Sequence, residues 1–159
     1  MSTLTHHQAA ALNYKEHISL TANAGSGKTF VLSKRYVEIA LNENINLRNI
    51  AAITFTDKAA GELYKKITVE VDDCYKSVND LKTKRKLEKI RRQLVSANIS
   101  TIHSFCIDIL REFPVEANID ANFTPIDTRL SDELIEISVE ETIKEMLQKE
   151  HESEIIKKL

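Results

Sequence analysis

The chain has 159 residues, 42% of them hydrophobic and 29% charged, with a formal net charge of −2. These values indicate one globular unit and exclude a whole-molecule attraction to nucleic acid or membrane, so any polyanion site must be a local patch. Because no apolar run is long enough to cross a bilayer and the start MSTLTHH lacks a secretory layout, we expect a cytoplasmic protein without a membrane partner. Cys74 and Cys106 exclude a disulfide framework and show no metal-ligand spacing.

The first part of the chain predicts alternating helices and strands. Residues 5–12 predict a short helix, and residues 17–21 alternate like a strand that leads into a glycine-containing loop. Residues 29–41 have apolar positions at helical spacing, and the polar residues 42–44 end that helix. Residues 50–55 are largely apolar between polar flanks, the pattern of a strand buried on both faces of a parallel sheet. The fold class is therefore predicted as α/β.

The second part is predicted to be mainly helical. Residues 57–76 predict a long helix, residues 81–95 a basic helix, and residues 99–102 a short strand, before a last helix that stops near Phe113. The basic side chains of the second of these helices are Lys82, Lys84, Arg85, Lys86, Lys89, Arg91 and Arg92. Such a face is usually only solvated, and a contact with a nucleic-acid backbone is the alternative.

The last third predicts a subdomain boundary. Residues 114–128 contain two prolines and read as a connection. An acidic helix is then expected to start at Ser131 and to extend towards Glu150. Its apolar residues form one stripe that needs a partner, and they are Ile135, Val139, Ile143, Met146 and Leu147.

The clearest chemical signal is a loop that suits a phosphate group. Its members, in order, are Ala22, Asn23, Ala24, Gly25, Ser26, Gly27, Lys28 and Thr29. Gly25 and Gly27 let the backbone amides turn inwards, and the following helix adds the positive end of its dipole. Lys28 is expected to reach the β and γ phosphates, while the Thr29 hydroxyl is expected on Mg²⁺. The loop therefore predicts a site for ATP with Mg²⁺, in which Lys28 and Thr29 carry the catalytic roles.

The loop departs from the usual pattern at one position, and it has one plainer interpretation. Ala22 stands where the usual pattern has glycine, and we regard it as a small-residue variant. The blander alternative is a glycine turn followed by a surface lysine. The predicted strand before the loop and the predicted helix after it favour the phosphate interpretation.

Four segments in fixed order carry a resemblance to a known family. They are residues 4–10, residues 24–29, residues 53–63 and residues 101–106. They resemble, respectively, the Q motif, the phosphate loop, motif Ia and motif Ib of UvrD/Rep-type superfamily 1 DNA helicases. Phe30, where many members have arginine, resembles the AddA and RecB branch of helicase-nucleases, and Asp57 stands where motif Ia usually has asparagine. The resemblance implies that Gln8 recognises adenine.

The same resemblance implies a path for single-stranded DNA along motifs Ia and Ib. The expected DNA-binding residues are Thr54, Phe55, Thr56, His103 and Phe105. Hydroxyls and amides at strand ends suit phosphates, and aromatic rings suit bases. Each residue also has a plainer interpretation, since phenylalanines are ordinarily core residues, and a lone histidine or glutamine commonly has only a structural role.

The resemblance also implies groups that are not found in these 159 residues. They are an acidic Walker B pair, and arginines from a second RecA-like domain. Asp132-Glu133 follows no apolar strand, so it reads as a helix start. We therefore expect a piece that turns over little ATP, from a parent that steps along single-stranded DNA with a nuclease or recombination partner. A P-loop kinase or small NTPase, and a non-enzymatic DNA-binding module with a vestigial loop, are the rival interpretations.

The implied architecture has three parts. Residues 1–113 are expected to form part of a RecA-like ATP-binding domain 1A, a parallel sheet flanked by helices. Residues 114–128 are the connection, and residues 129–159 are expected to begin the helical subdomain 1B.

Overall fold

The computed structural model describes residues 4–43 and 45–156, with side chains up to residue 149. The chain divides into two compact units, Met1–Glu112 and Phe113–Leu159. Asn44, which was expected to help end a helix, lies outside the described residues.

The first unit alternates helices with two short strands. In chain order it contains α1 (His6–Ala10), α2 (Lys28–Asn42), β1 (Ala51–Thr54), α3 (Asp57–Ser77), α4 (Leu81–Gln93), β2 (Asn98–Thr101) and α5 (Ile102–Glu112), with 3₁₀ turns at Leu47–Asn49 and Leu94–Ser96. These elements confirm the α/β prediction, and their bounds differ from the expected ones by a few residues. The largest shifts are at the ends of α1 and α4, and the predicted last residues of α4 form the second 3₁₀ turn.

The strands β1 and β2 form a parallel pair. Ala51 is opposite Asn98 and Thr54 is opposite Thr101, and the connection between the strands runs through α3 and α4. Such a crossover is required because parallel strands cannot be joined by a tight turn. Ala52 is buried, whereas Ala51 and Ile53 are exposed. The expectation of burial on both faces was therefore wrong for the described chain, because helices cover the strand on one face only.

The core lies where α2, α3 and α4 pack on the covered face of the sheet. Its buried members are Tyr36, Val37, Ala40, Leu47, Ala52, Leu63, Ile67, Val71, Leu87, Ile90 and Leu94. Ile67 and Leu87 are fully enclosed. Since burying one such side chain contributes about 1.5–3 kcal/mol, this cluster stabilises the helices relative to each other.

Residues 17–21 do not form the expected strand. Their side chains are exposed, including the apolar Ile18 and Leu20, and no described strand hydrogen-bonds to them. An alternating sequence specifies which residues share a face, but a strand exists only when a neighbour completes its hydrogen-bonded ladder. The segment therefore reaches the loop as irregular chain.

Several basic side chains of α4 contact other parts of the first unit. Lys86 Nζ donates to the Leu41 carbonyl at 3.1 Å, and Lys84 Nζ lies 5.5 Å from the centroid of the Tyr75 ring. Arg91 pairs with Asp72 at 3.7 Å, and Arg92 pairs with Glu88 at 3.8 Å. These contacts favour the solvated structural face over the nucleic-acid alternative.

The second unit is built around one long helix, α6 (Thr128–Ile156). It starts three residues before the expected Ser131, because Asp127 Oδ1 accepts a hydrogen bond from the Leu130 amide at 2.8 Å. Its apolar stripe is exposed, as at Ile135 and Met146, so no described residue supplies the expected partner. None of the helices in the described residues has the length and apolar character that crossing a membrane requires.

Candidate nucleotide site and nucleic-acid interface

Two glycines shape the loop that precedes α2. Gly25 and Gly27 have φ angles of 78° and 84°, in the left-handed region that side chains disfavour. The Ser26 amide donates to the Asn23 carbonyl at 3.3 Å and closes a tight turn. A Cβ at Gly25 would meet nothing within 4 Å, whereas a Cβ at Gly27 would lie 3.1 Å from Gln8 Nε2. Gly27 is therefore favoured by its conformation, and a side chain at this position would also press against the Gln8 amide.

The start of α2 leaves its first-turn amides without a side-chain cap. Helices α1, α3 and α4 are capped by the side chains of Thr5, Thr56 and Asp80, whereas α2 begins after Gly27 and has no such cap. The first amides of any helix have no partner within the helix. Those of α2 therefore remain as donors, next to the positive end of the helix dipole, which is an arrangement that suits an anion.

Lys28 lies back across its own loop. Its Nζ atom donates to the carbonyls of Ala22 and Asn23, at 2.5 and 2.8 Å. An ammonium group has three protons, so one remains for a further acceptor. Thr29 follows in the first turn of α2 and is half-buried, whereas Ala24 and Ser26 are exposed. The loop thus gathers one cation, the hydroxyls of Ser26 and Thr29, and several backbone donors.

Gln8 of α1 contacts the loop directly. Its Nε2 atom donates to the Ser26 carbonyl at 3.2 Å, while its Oε1 atom accepts from the Thr5 amide at 3.0 Å. A cavity of about 330 Å³ lies between α1 and the loop. Its lining residues are Thr5, His7, Gln8, Ala11, Leu20, Thr21, Ala22, Ser26, Lys28 and Val31. This volume is at the lower end of the range typical for small-molecule sites.

Arg35 holds α1 in place beside α2. Its Nη1 atom donates to the Ala11 carbonyl at 2.7 Å, and its Nη2 atom donates to the Glu16 carbonyl at 3.3 Å. This role was not predicted from the sequence, since an arginine within a helix has no local signature of such a contact. The cap at Thr5 was not predicted either, although the spacing of Thr5 and Gln8 is that of a capping box.

The predicted DNA residues of motif Ia lie at the carboxyl end of β1. Thr54 Oγ1 donates to the Thr56 carbonyl at 3.1 Å, and Thr56 Oγ1 accepts from the Ala59 amide at 3.1 Å, which starts α3. Between them, Phe55 is 94% exposed. Its position excludes the plainer interpretation of Phe55 as a core residue of this unit.

The residues of motif Ib lie at the end of the neighbouring strand. Thr101 is buried, and its Oγ1 atom lies 3.0 Å from Ser104 Oγ and accepts from the Ser104 amide at 3.3 Å, which orders the start of α5. His103 is exposed and Phe105 is half-buried. Because Thr54 and Thr101 are opposite each other, the two motifs meet at one edge of the sheet.

The predicted residues thus form two groups in the first unit. One group surrounds the loop before α2, and the other lies at the carboxyl edge of β1 and β2. In the part of the chain that the structure describes, no group of three or more His, Cys, Asp or Glu side chains is arranged to hold a metal ion. A Mg²⁺ ion at this loop would therefore rely on the Thr29 hydroxyl together with oxygens of the nucleotide.

Comparison with known proteins identifies the family of this chain. The chain is 35% identical over 156 residues to an ATP-dependent helicase/nuclease subunit of Syntrophomonas wolfei, and the match covers 96% of this chain and 12% of that protein. It is 37% identical over 139 residues to the protein of the same name from Listeria welshimeri, covering 85% of this chain and 10% of the relative. The chain thus spans about an eighth or less of the length of these curated relatives. Residues 4–159 match the UvrD/REP helicase N-terminal domain, and the chain belongs to that family.

Proposed function

We propose that this chain is the ATP-binding portion of an ATP-dependent DNA helicase that translocates on single-stranded DNA. The observation that carries the proposal is the cavity whose walls include both the loop cation Lys28 and the α1 amide Gln8. In this proposal the unit Met1–Glu112 is part of a RecA-like domain 1A, residues 114–128 form the connection, and α6 begins the helical subdomain 1B.

The triphosphate is proposed to bind at the start of α2. The uncapped amides of the first turn supply donors, and the remaining proton of the Lys28 ammonium group is available for a β or γ oxygen. Thr29 would hold Mg²⁺, which offsets the charge of the same phosphates. Residues 22–27 contribute mainly through their backbone.

Adenine is proposed to face Gln8. The Gln8 amide uses one lone pair of Oε1 towards Thr5 and one proton of Nε2 towards Ser26. One lone pair and one proton remain, and adenine offers a complementary N6 donor and N7 acceptor. The two bonds already made orient this amide, so little conformational entropy is lost when the base binds.

Single-stranded DNA is proposed to cross the carboxyl edge of β1 and β2. The exposed ring of Phe55 offers a stacking surface, which contributes about 1–3 kcal/mol per base and tolerates any sequence. The exposed His103 is proposed to contact the backbone. Thr54 and Thr56 contribute less through their hydroxyls, because both already form hydrogen bonds within the turn. The half-buried Phe105 is proposed to support this surface from the first turns of α5.

Hydrolysis by this chain alone is proposed to be slow. Lys28 and the Mg²⁺ that Thr29 would hold offset phosphate charge, but water activation needs an acidic pair placed after a strand. Asp132 and Glu133 lie within α6, and no described strand ends directly before them. The whole protein is proposed to act in DNA repair or recombination with a nuclease partner. The words "ATP-dependent helicase/nuclease" in the relatives' name support the nuclease part of this proposal.

Ligand binding by matched variants tests the proposal. A fluorescent ATP analogue with Mg²⁺ and a labelled oligo-dT are titrated into the wild type, Lys28→Ala and Phe55→Ala. Lys144→Ala serves as a control, since this exposed lysine of α6 forms a single ion pair among the described residues, with Glu140 at 3.5 Å. Lys28→Ala is expected to lose nucleotide binding and to retain DNA binding. Phe55→Ala is expected to lose DNA binding and to retain nucleotide binding, and the control is expected to bind both ligands.

Two results would contradict the proposal. Unchanged nucleotide affinity in Lys28→Ala would reject the loop as the phosphate site. Rapid DNA-stimulated ATP hydrolysis by the 159-residue chain would reject the proposed lack of water activation. Phosphoryl transfer to a small acceptor would instead support the kinase alternative.

A further inference from the structure

We propose that the ion pair between Lys34 of α2 and Glu70 of α3 is a positioning contact that couples the nucleotide loop to the DNA edge. This inference rests on the proposed function, because it requires both ligands to bind the first unit. It assigns a role to two residues that contact neither ligand.

This ion pair is more enclosed than the others in the described chain. Lys34 Nζ lies 2.7 Å from Glu70 Oε1, with 25% and 15% of the two side chains exposed. The side chains of the other ion pairs found in the described residues are 43% to 80% exposed. Exposed pairs are weakened by solvent and salt, whereas removing one partner of an enclosed pair leaves a poorly solvated charge. The Lys34–Glu70 contact therefore constrains its helices more than a surface pair would.

The contact lies in the half of α2 that follows the phosphate loop. The core residues that α2 contributes to the main cluster are Tyr36, Val37 and Ala40, all in its second half. Lys34 lies six residues after Lys28, or about 9 Å along the helix axis. Its Nζ atom also lies 4.9 Å from the centroid of the Phe30 ring, one residue beyond Thr29. Lys34 thus attaches the first half of α2 to α3, whereas the residues that α2 contributes to the main core lie in its second half.

On the other side, Glu70 belongs to the helix that starts at the DNA edge. Helix α3 begins after the Thr56 cap and packs its buried residues Leu63 and Ile67 into the core. Cys74 Sγ donates to Glu70 Oε1 at 3.6 Å, which adds a second hydrogen bond to the carboxylate oxygen that pairs with Lys34. The carboxylate is therefore held within a small polar cluster on α3.

Coupling follows because each ligand binds at the N-terminal end of one of two joined helices. A triphosphate that orders the loop also restricts the first half of α2, and the ion pair passes this restriction to α3. The DNA edge before α3 then loses less conformational entropy when an oligonucleotide binds. The cooperativity is positive, and by thermodynamic linkage DNA must raise nucleotide affinity by the same factor.

The test measures this factor as a ratio of dissociation constants. Labelled oligo-dT is titrated into the chain with and without a saturating non-hydrolysable ATP analogue and Mg²⁺. In the wild type we expect nucleotide to tighten DNA binding by about tenfold, within the usual range for coupled sites. In Glu70→Gln we expect this ratio to fall below about twofold, while the affinity for each ligand alone stays within about twofold of wild type.

Three further variants separate coupling from a general effect on stability. Asp72→Asn removes a carboxylate of α3 whose pair with Arg91 is exposed, and it is expected to retain the wild-type ratio. Lys34→Met keeps the apolar stem without the charge, and its ratio is expected to fall below about twofold, as in Glu70→Gln. It provides the same test should Glu70→Gln fail to fold. The double variant Lys34→Glu/Glu70→Lys restores opposite charges and is expected to recover most of the ratio.

The outcomes distinguish the two proposals. A wild-type chain that binds neither ligand contradicts the proposed function. A wild-type chain that binds both ligands without mutual effect, or a Lys34→Met variant with an undiminished ratio, overturns the coupling role alone.

Discussion

Replacing Gly27 with alanine is expected to weaken both the fold and nucleotide binding, by an amount that the loop geometry allows us to work out. At φ 84° the new side chain occupies the left-handed region, which costs about 1–2 kcal/mol. The new Cβ would also lie 3.1 Å from Gln8 Nε2 and displace it from the Ser26 carbonyl, which removes a hydrogen bond of about 0.5–1.5 kcal/mol. The free energy of unfolding should therefore fall by roughly 1.5–3.5 kcal/mol.

Two other glycines provide matched controls. Gly25 has a φ of 78° but open space around it, so Gly25→Ala should show only the conformational cost of about 1–2 kcal/mol. Gly61 lies within α3, with nothing within 4 Å of an added Cβ. Gly61→Ala should therefore raise the free energy of unfolding by up to about 1 kcal/mol.

Urea unfolding and titration with a fluorescent ATP analogue measure these differences. In a Gln8→Ala background the close contact is absent, so the cost of Gly27→Ala should fall to that of Gly25→Ala. The loss of nucleotide affinity should also be larger for Gly27→Ala than for Gly25→Ala. A tenfold loss of affinity corresponds to about 1.4 kcal/mol of binding free energy. Equal costs for Gly27→Ala with and without Gln8 would refute the argument that this amide rests against the loop.

Three other predictions follow from burial and exposure. Phe55→Ala should change the free energy of unfolding by less than about 0.5 kcal/mol because the ring is exposed, yet weaken oligo-dT binding in fluorescence anisotropy by about 1–3 kcal/mol. Ile67→Ala should lower the urea-derived free energy of unfolding by about 2–5 kcal/mol, since the side chain is fully buried in the core; a smaller loss would mean a looser core. Burial, with the charge of Glu70 as the next cause, raises the pKa of Cys74 to about 11, so at pH 8 its thiol is almost wholly protonated. Mass spectrometry should then find iodoacetamide on the exposed Cys106 first, with Cys74 labelling increasing only as the pH approaches 11; equal labelling at pH 8 would contradict this order.

Much of this protein could be predicted from local sequence. The helices follow from apolar spacing and from caps such as Thr56 and Asp80, whose side chains bond to amides three residues ahead. The loop before α2, which is proposed to bind phosphate, is also a local feature, since Gly25 and Gly27 supply the turn and Lys28 follows directly. These features need only neighbouring residues, so the order of residues is enough to indicate them.

Other features depended on segments far apart in the chain. The strand expected at residues 17–21 is absent from the described fold because no neighbour completes its ladder, and the exposure of Phe55 depends on which face the helices cover. The contact between Lys34 and Glu70 joins residues 36 positions apart. Composition and periodicity identify which residues can be buried or paired, but packing decides which partners they meet. The sequence by itself therefore determined the loop and its helices, whereas the cavity beside Gln8 and the link between α2 and α3 were decided only by the tertiary structure.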